Sequence, residues 1–153
     1  MAVEIGQAAP SFSLANIDRK MFDSESLKGK KSLVVFIPNP FTGVCDGEVC
    51  EIRDNMAQLA SLDANVVVIT THGRATNEKW VETEGLKFPV LSDFWPHGEV
   101  SEAYGTFNEK FGIAMRSTYV LDADGIVRDI VATESLGDPR SFADYADALA
   151  AID

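Results

Sequence analysis

The chain has 153 residues, 46% of them hydrophobic, and its 24 acidic against 13 basic side chains give a formal net charge of −11. That length suits one domain over residues 1–153 with a full apolar core, and the charge excludes a nucleic-acid partner, which needs a clustered basic face to displace counterions. No apolar run approaches membrane-spanning length and the first residues lack the basic flank and apolar stretch of a secretory leader, so a soluble, cytoplasmic protein with no membrane partner is expected.

Short strands are expected at residues 12–14 and 21–22 around a polar turn, with Ser24 placed to cap a brief turn ending at Leu27. Lys28, Lys30 and Lys31 form the one basic cluster, which reads as a solvated loop. Gly29-Lys30-Lys31-Ser32 is no phosphate loop, because the earlier glycine is missing and an apolar strand follows rather than precedes it. That strand, residues 33–37 (Leu-Val-Val-Phe-Ile), ends at Pro38 and reads as central and buried. A helix follows, with a pattern legible from Glu48 onward that places Val49, Ile52, Met56 and Leu59 on one face. Residues 65–70 form a second buried strand, and Thr76 is placed to cap the next helix. Pro89 confines a short strand at residues 88–91 to an edge or to that strand's first residues. Residues 100–104 are helical in pattern. Residues 117–121 and 126–130 flank Asp122-Ala123-Asp124-Gly125, a hairpin signal, and a helix from about Pro139 buries Phe142, Tyr145 and Leu149. Long crossovers between early strands and one late antiparallel hairpin predict an α/β domain with a mixed central sheet flanked by helices, an order that fits the thioredoxin-like fold.

Two cysteines, Cys45 and Cys50, are too few for a disulfide scaffold and suit catalysis in a reducing compartment. Their C-x4-C spacing, with His72 and His97 25 positions apart, does not match a zinc site, and no metal or cofactor is expected. Cys45 falls where the central strand passes into a helix. The partial positive charge and unpaired N–H groups of a helix N-terminus favour thiolate over thiol there.

Pro38-Asn39-Pro40-Phe41-Thr42-Gly43-Val44-Cys45 has the spacing P-x-x-x-T-x-x-C, which resembles the signature of the peroxiredoxins, thiol enzymes that reduce peroxides. A thiol of pKa near 8.5 is only about 3% ionised at neutral pH, and lowering it to about 6 raises that to roughly 90%. A thirtyfold gain of that kind falls far short of fast peroxide reduction, so the remainder must come from orienting the peroxide and stabilising the charge that develops on its oxygens. The Thr42 hydroxyl is placed to contact sulfur and peroxide, its alternative being a helix N-cap. Pro38 walls the pocket from water, or merely ends the strand. The N–H groups of Val44 and Cys45 are expected to point into the same space.

By the resemblance, Arg116 at the start of a late strand is the active-site cation; without it, Arg116 reads as a surface residue. Glu48 orients Arg116, or is a first-turn glutamate favoured by the helix dipole. Asp93-Phe94-Trp95-Pro96-His97-Gly98 and Tyr104-Gly105-Thr106-Phe107-Asn108 look like a one-cysteine branch of the family, alkyl hydroperoxide reductase E, which implies that Trp95 lies near the catalytic pocket. Otherwise Trp95 reads as core packing.

Cys50 departs from that branch and resembles the second cysteine of peroxiredoxin Q, or bacterioferritin comigratory protein, where it resolves the sulfenic acid as a disulfide. Residues five apart on a regular helix lie about 140° around the axis and about 8.6 Å apart. A disulfide usually needs less than about 7 Å, so resolution requires the first helical turn to unwind. The alternative is a buried, inert Cys50, with Cys45 reduced by an external thiol. The resemblance implies a peroxide substrate, a thioredoxin-, glutaredoxin- or low-molecular-weight-thiol-type reductant, and a homodimer formed near the active-site edge. The competing readings are a redox sensor without turnover and a dithiol–disulfide oxidoreductase, which normally wants the C-x-x-C this chain lacks.

Overall fold

The computed structural model describes residues 2–152. Its elements in chain order are β1 (Ser13–Ala15), β2 (Met21–Asp23), β3 (Lys31–Phe36), α1 (Gly43–Asp54), α2 (Met56–Ser61), β4 (Ala64–Thr70) and α3 (Arg74–Glu84). They continue as β5 (Val90–Ser92), α4 (Glu99–Tyr104), β6 (Phe107–Asn108), β7 (Ile113–Ala114), β8 (Ser117–Leu121), β9 (Val127–Ala132) and α5 (Phe142–Ala150). Seven strands form one mixed sheet in the order β2-β1-β5-β4-β3-β8-β9. β3, β4 and β5 run parallel, and β8 returns antiparallel against β3.

The continuous apolar run in β3 reflects burial on both faces, as parallel strands at the centre of an α/β sheet require. Leu33, Val35 and Ile37 pack on one side with Val49 and Ile52 of α1, Trp80 of α3 and Leu149 of α5. Val34 and Phe36 face the opposite side, where Phe36, Tyr104 and Tyr119 form an aromatic cluster with ring centroids 4.9–5.7 Å apart. Because β3, β4 and β5 are parallel, the loops that follow them gather at one sheet edge. The β8 register, Phe36 opposite Ser117, brings Arg116 to that edge beside Ile37.

Several boundaries differ from the sequence pattern. α1 begins at Gly43, five residues before the pattern becomes legible, and ends at Asp54. Asn55 (φ −118°, ψ 22°) leaves helical geometry and its side-chain amide donates to the Glu51 carbonyl at 2.7 Å, so Met56 and Leu59 ride on the separate α2. Asp23, not Ser24, caps the short 3-10 turn over Ser24–Leu27, while the Ser24 hydroxyl accepts from the Phe12 N–H at 2.9 Å. α3 starts at Arg74 behind Gly73, so Thr76 lies inside the helix rather than capping it. Pro89 precedes β5, which is an interior strand, and its carbonyl accepts from Val68 N–H at 2.9 Å. α5 begins at Phe142, capped by Ser141, leaving Pro139 and Arg140 in irregular chain. The β6–β7 ribbon, two residues per strand, is too short to leave a periodic signal. The hairpin is where the pattern puts it: Asp122 Oδ1 accepts from Asp124 and Ile126 N–H, and Gly125 supplies the positive φ of 80°. Among the described residues no helix is long and apolar enough to cross a membrane.

The buried Asp93 carboxylate holds the loop after β5 against α4. It accepts from Val100 N–H at 3.0 Å, and from both Ser101 N–H and Oγ at 2.8 and 2.7 Å. Burial nevertheless raises its pKa against these donors. Asp93→Ala leaves those donors unpaired and is expected to destabilise the fold by about 1–3 kcal/mol, read as a lower urea midpoint at unchanged m-value.

Candidate active site

β3 carries the chain through Ile37 into Pro38, both buried, with Ile37 N–H still bonded to the Ile69 carbonyl at 3.0 Å. Pro38 brings no N–H to the pocket wall. Phe41 then adopts φ 67°, a left-handed conformation that is unfavourable for a residue with a side chain, and α1 starts two residues later. Thr42 occupies the N-cap position with extended backbone, yet its hydroxyl does not cap; it donates to the Asn39 carbonyl at 2.7 Å. Its proton is therefore committed and its lone pairs stay free. The first bond of the helix runs from Asp46 N–H to the Thr42 carbonyl, so the N–H groups of Val44 and Cys45 have no partner within it.

Cys45 is the third residue of α1 and fully buried. Its Sγ accepts from Arg116 Nη1 at 3.3 Å. The same Nη1 donates to Glu48 Oε1, and Arg116 Nη2 donates to the Leu136 carbonyl at 2.6 Å, leaving Nε unpaired. Glu48 stands one turn along α1 and is buried. It is gripped from the far side by Arg140: the backbone N–H, Nε and Nη2 donate at 2.7, 2.8 and 2.9 Å. Arg140 Nη1 donates to Thr118 Oγ1 at 3.0 Å, whose own hydroxyl lies 2.9 Å from Tyr145 OH. Arg116 is thus an inward, buried cation and not a surface residue.

Burial alone works to raise the Glu48 pKa, but the hydrogen bonds and charge of Arg140, joined by the charge of Arg116, outweigh it and hold the carboxyl below its ordinary value. Burial likewise opposes the Arg116 charge, and the Cys45 contact and Glu48 outweigh it. Two guanidinium groups and one carboxylate leave a single surplus positive charge beside Cys45 Sγ; with Cys45 ionised, the four buried groups sum to zero.

Arg140 is the residue that sequence reasoning missed. It lies in irregular chain with no periodicity, and the only available signal was that it is the sole basic residue after Arg128. Asp46 was also missed: its Oδ1 accepts from Trp80 Nε1 at 2.8 Å and pins the first turn of α1 to α3. A groove lined by Gly43, Val44, Gly47, Glu48, Pro139 and Arg140 runs along those first turns.

Cys50 stays on the unbroken α1, where five residues of regular helix separate it from Cys45 by about 8.6 Å. Both thiols are free. Cys50 is half-buried and its Sγ donates to Glu84 Oε2 at 3.0 Å, so it is not simply a small apolar residue beside Val49 and Ile52. Trp95 is 82% exposed, which corrects the core-packing alternative; it lines a different cleft with Ser11, Phe12 and Pro96. It shares the sheet-edge loops with exposed Phe41 and Phe94, and Phe111, in the β6–β7 turn, is exposed as well.

The AhpC/TSA family model matches residues 5–130. Alkyl hydroperoxide reductase E of Mycobacterium tuberculosis (strain H37Rv) is 39% identical over 151 residues, 98% of each chain. A putative peroxiredoxin, bcp, of Coxiella burnetii is 31% identical over 133 residues, covering 83% of this chain and 87% of that one. Among solved structures, peroxidoxin BcpB from Mycobacterium tuberculosis superposes with a TM-score of 0.87 at 27% identity, covering 99% of both chains. Enterococcus faecalis AhpC gives a TM-score of 0.89 at 24% identity, over 99% of this chain and 92% of that one. The sheet and helices described above are accordingly those of the thioredoxin-like fold.

Removing one partner of the buried charge set strands the others. Arg140→Met is expected to lower stability by about 3–5 kcal/mol in urea unfolding. The Glu48 pKa is depressed in the folded state, so its contribution is complete above about its ordinary value of 4.5 and is lost as pH falls through the lower folded value. The stability gap between wild type and Glu48→Gln should therefore be full at pH 7 and close progressively below about pH 4.5, measured by urea unfolding across that range.

Proposed function

Because this chain belongs to the AhpC/TSA family and is a thiol-dependent peroxidase, we propose that Cys45 is its peroxidatic sulfur and Arg116 the cation that serves it. The observation that carries this reading is the 3.3 Å contact from Arg116 Nη1 to Cys45 Sγ, held in line by Glu48. The Cys45 thiolate attacks one oxygen of hydrogen peroxide or an organic hydroperoxide. An S–O bond forms, the O–O bond breaks, sulfur is oxidised to the sulfenic acid, and the departing hydroxide or alkoxide takes up a proton to leave as water or alcohol. The unpaired Arg116 Nε and the free N–H groups of Val44 and Cys45 supply donors for the charge that develops on oxygen. Thr42, whose proton is committed to Asn39, offers a lone pair to the peroxide O–H, and Pro38 keeps water from the sulfur.

In the second half of the cycle the Cys50 thiol attacks Cys45–SOH; the S–S bond forms and the thiol proton leaves with the sulfenic oxygen as water. The Cys50–Glu84 contact favours a second route, in which an external thiol of thioredoxin, glutaredoxin or low-molecular-weight type takes the sulfenic acid first. We place this activity in a single domain working in the cytoplasm. A homodimer that covers the exposed aromatic residues at the site edge, Trp95 among them, completes the proposal.

Stopped-flow mixing with peroxide, read by Trp80 and Trp95 fluorescence, should show rapid single-turnover oxidation that disappears in Cys45→Ser. Arg116→Lys, which keeps the charge but loses the planar donor fork, should slow that step about a hundredfold. Near-normal kinetics in the lysine variant would mean that Arg116 has been misassigned. Cys50→Ser should stop at sulfenic acid or over-oxidise, whereas wild type gains a disulfide visible by mass spectrometry.

A further inference from the structure

α1 is fastened to α3 at two places. Near its start, Trp80 Nε1 holds Asp46, on the turn that must unwind if Cys45 is to reach Cys50. Further along, Arg53 Nη1 donates to the Glu84 carbonyl and Cys50 Sγ donates to the Glu84 carboxylate at 3.0 Å. Glu84 is the last residue of α3, set by Gly85 in a left-handed C-cap whose N–H returns to the Val81 carbonyl. Unwinding the first turn of α1 leaves this second fastening intact, so Cys50 stays turned toward α3.

We propose that Glu84 is a positioning residue that restrains Cys50: its carboxylate keeps the second sulfur as a thiol facing α3, which delays the intramolecular disulfide and leaves Cys45–SOH open to an external thiol. This rests on the reading that Cys50 is able to resolve Cys45. Three charged groups face Cys50: Glu84 from α3, and Arg53 and Asp54 from its own helix. Burial first, then the hydrogen bond and charge of Glu84, push the thiol from 9.0 up to about 11, with Arg53 opposing and Asp54 adding to the rise. A rise of that size is a hundredfold loss of thiolate, of which the greater nucleophilicity of a more basic sulfur returns about tenfold. Roughly tenfold is then the ceiling on the gain from losing Glu84, and about threefold is expected because burial remains.

Glu84→Gln keeps the side-chain shape and an acceptor while removing the charge. In a Cys45→Ser background, iodoacetamide alkylation of Cys50 from pH 7 to 10 should run several-fold faster in Glu84→Gln, with the rise in rate displaced to lower pH; superimposable profiles overturn the restraint. With Cys45 intact, one equivalent of peroxide followed by acid quench and mass spectrometry should show unchanged Cys45 oxidation but several-fold faster disulfide formation in Glu84→Gln. A disulfide that forms at the same rate in both proteins overturns the restraint alone. No disulfide in either protein across that pH range overturns Cys50 as the resolving thiol, and the restraint with it.

Discussion

A buried carboxylate clamped between two arginines organises the functional end of the molecule. Glu48 belongs to α1, Arg116 immediately precedes β8, and Arg140 precedes α5, so one side chain joins three elements that meet elsewhere through apolar packing and through the Thr118–Tyr145 and Phe142–Glu51 hydrogen bonds. Each charge would be strongly unfavourable if buried alone, and the set is tolerable only because its members hydrogen-bond one another in fixed directions. That mutual dependence removes rotameric freedom from Arg116. With one Nη on Glu48 and Cys45 and the other on the Leu136 carbonyl, the guanidinium has a single orientation, and its plane stands beside the sulfur. Preorganised donors of this kind need no rearrangement when charge develops on a bound oxygen.

The sheet supplies the frame for that arrangement. Parallel β3, β4 and β5 deliver their loops to one edge, and antiparallel β8 begins at the same edge, so the strand order decides that Cys45 and Arg116, 71 residues apart, become neighbours. Two local departures from ordinary geometry sit between strand and helix. Phe41 takes a left-handed backbone, and Thr42 gives its hydroxyl proton to Asn39 instead of capping α1. The second leaves the start of α1 without a side-chain cap, so its first N–H groups keep their hydrogen-bonding capacity. Contacts tie α1 to α3 at two places, Asp46 with Trp80 in the first turn and Cys50 with Glu84 further along.

What could be read from the chain follows the range of the underlying interactions. The β3 strand and the Asp122–Gly125 turn are short-range patterns: β3 starts two residues earlier than the apolar run and ends one before it, and the turn falls where its spacing puts it. Elements whose limits depend on a backbone–side-chain contact were displaced: Asn55 splits one apolar stripe into α1 and α2, and Ser141 rather than Pro139 sets the start of α5. Core packing, the reading of Trp95 without the resemblance, fails because the loop after β5 leaves it facing outward. Arg140 escaped notice because irregular chain has no period to betray which way a side chain points.

By itself, then, the sequence determined the class of reaction and the mixed α/β architecture and singled out Cys45 as the candidate nucleophile, since the motif lies within one loop and each periodicity within one element. Only the tertiary structure decided the partners: Arg140 reaches Glu48 across 92 positions, and Glu84 reaches Cys50 across 34. Pairings of that separation are set by how helices pack on the sheet, a property of the whole assembled core, and no local pattern records it. The carboxylate that α3 places against the second thiol is one such contact.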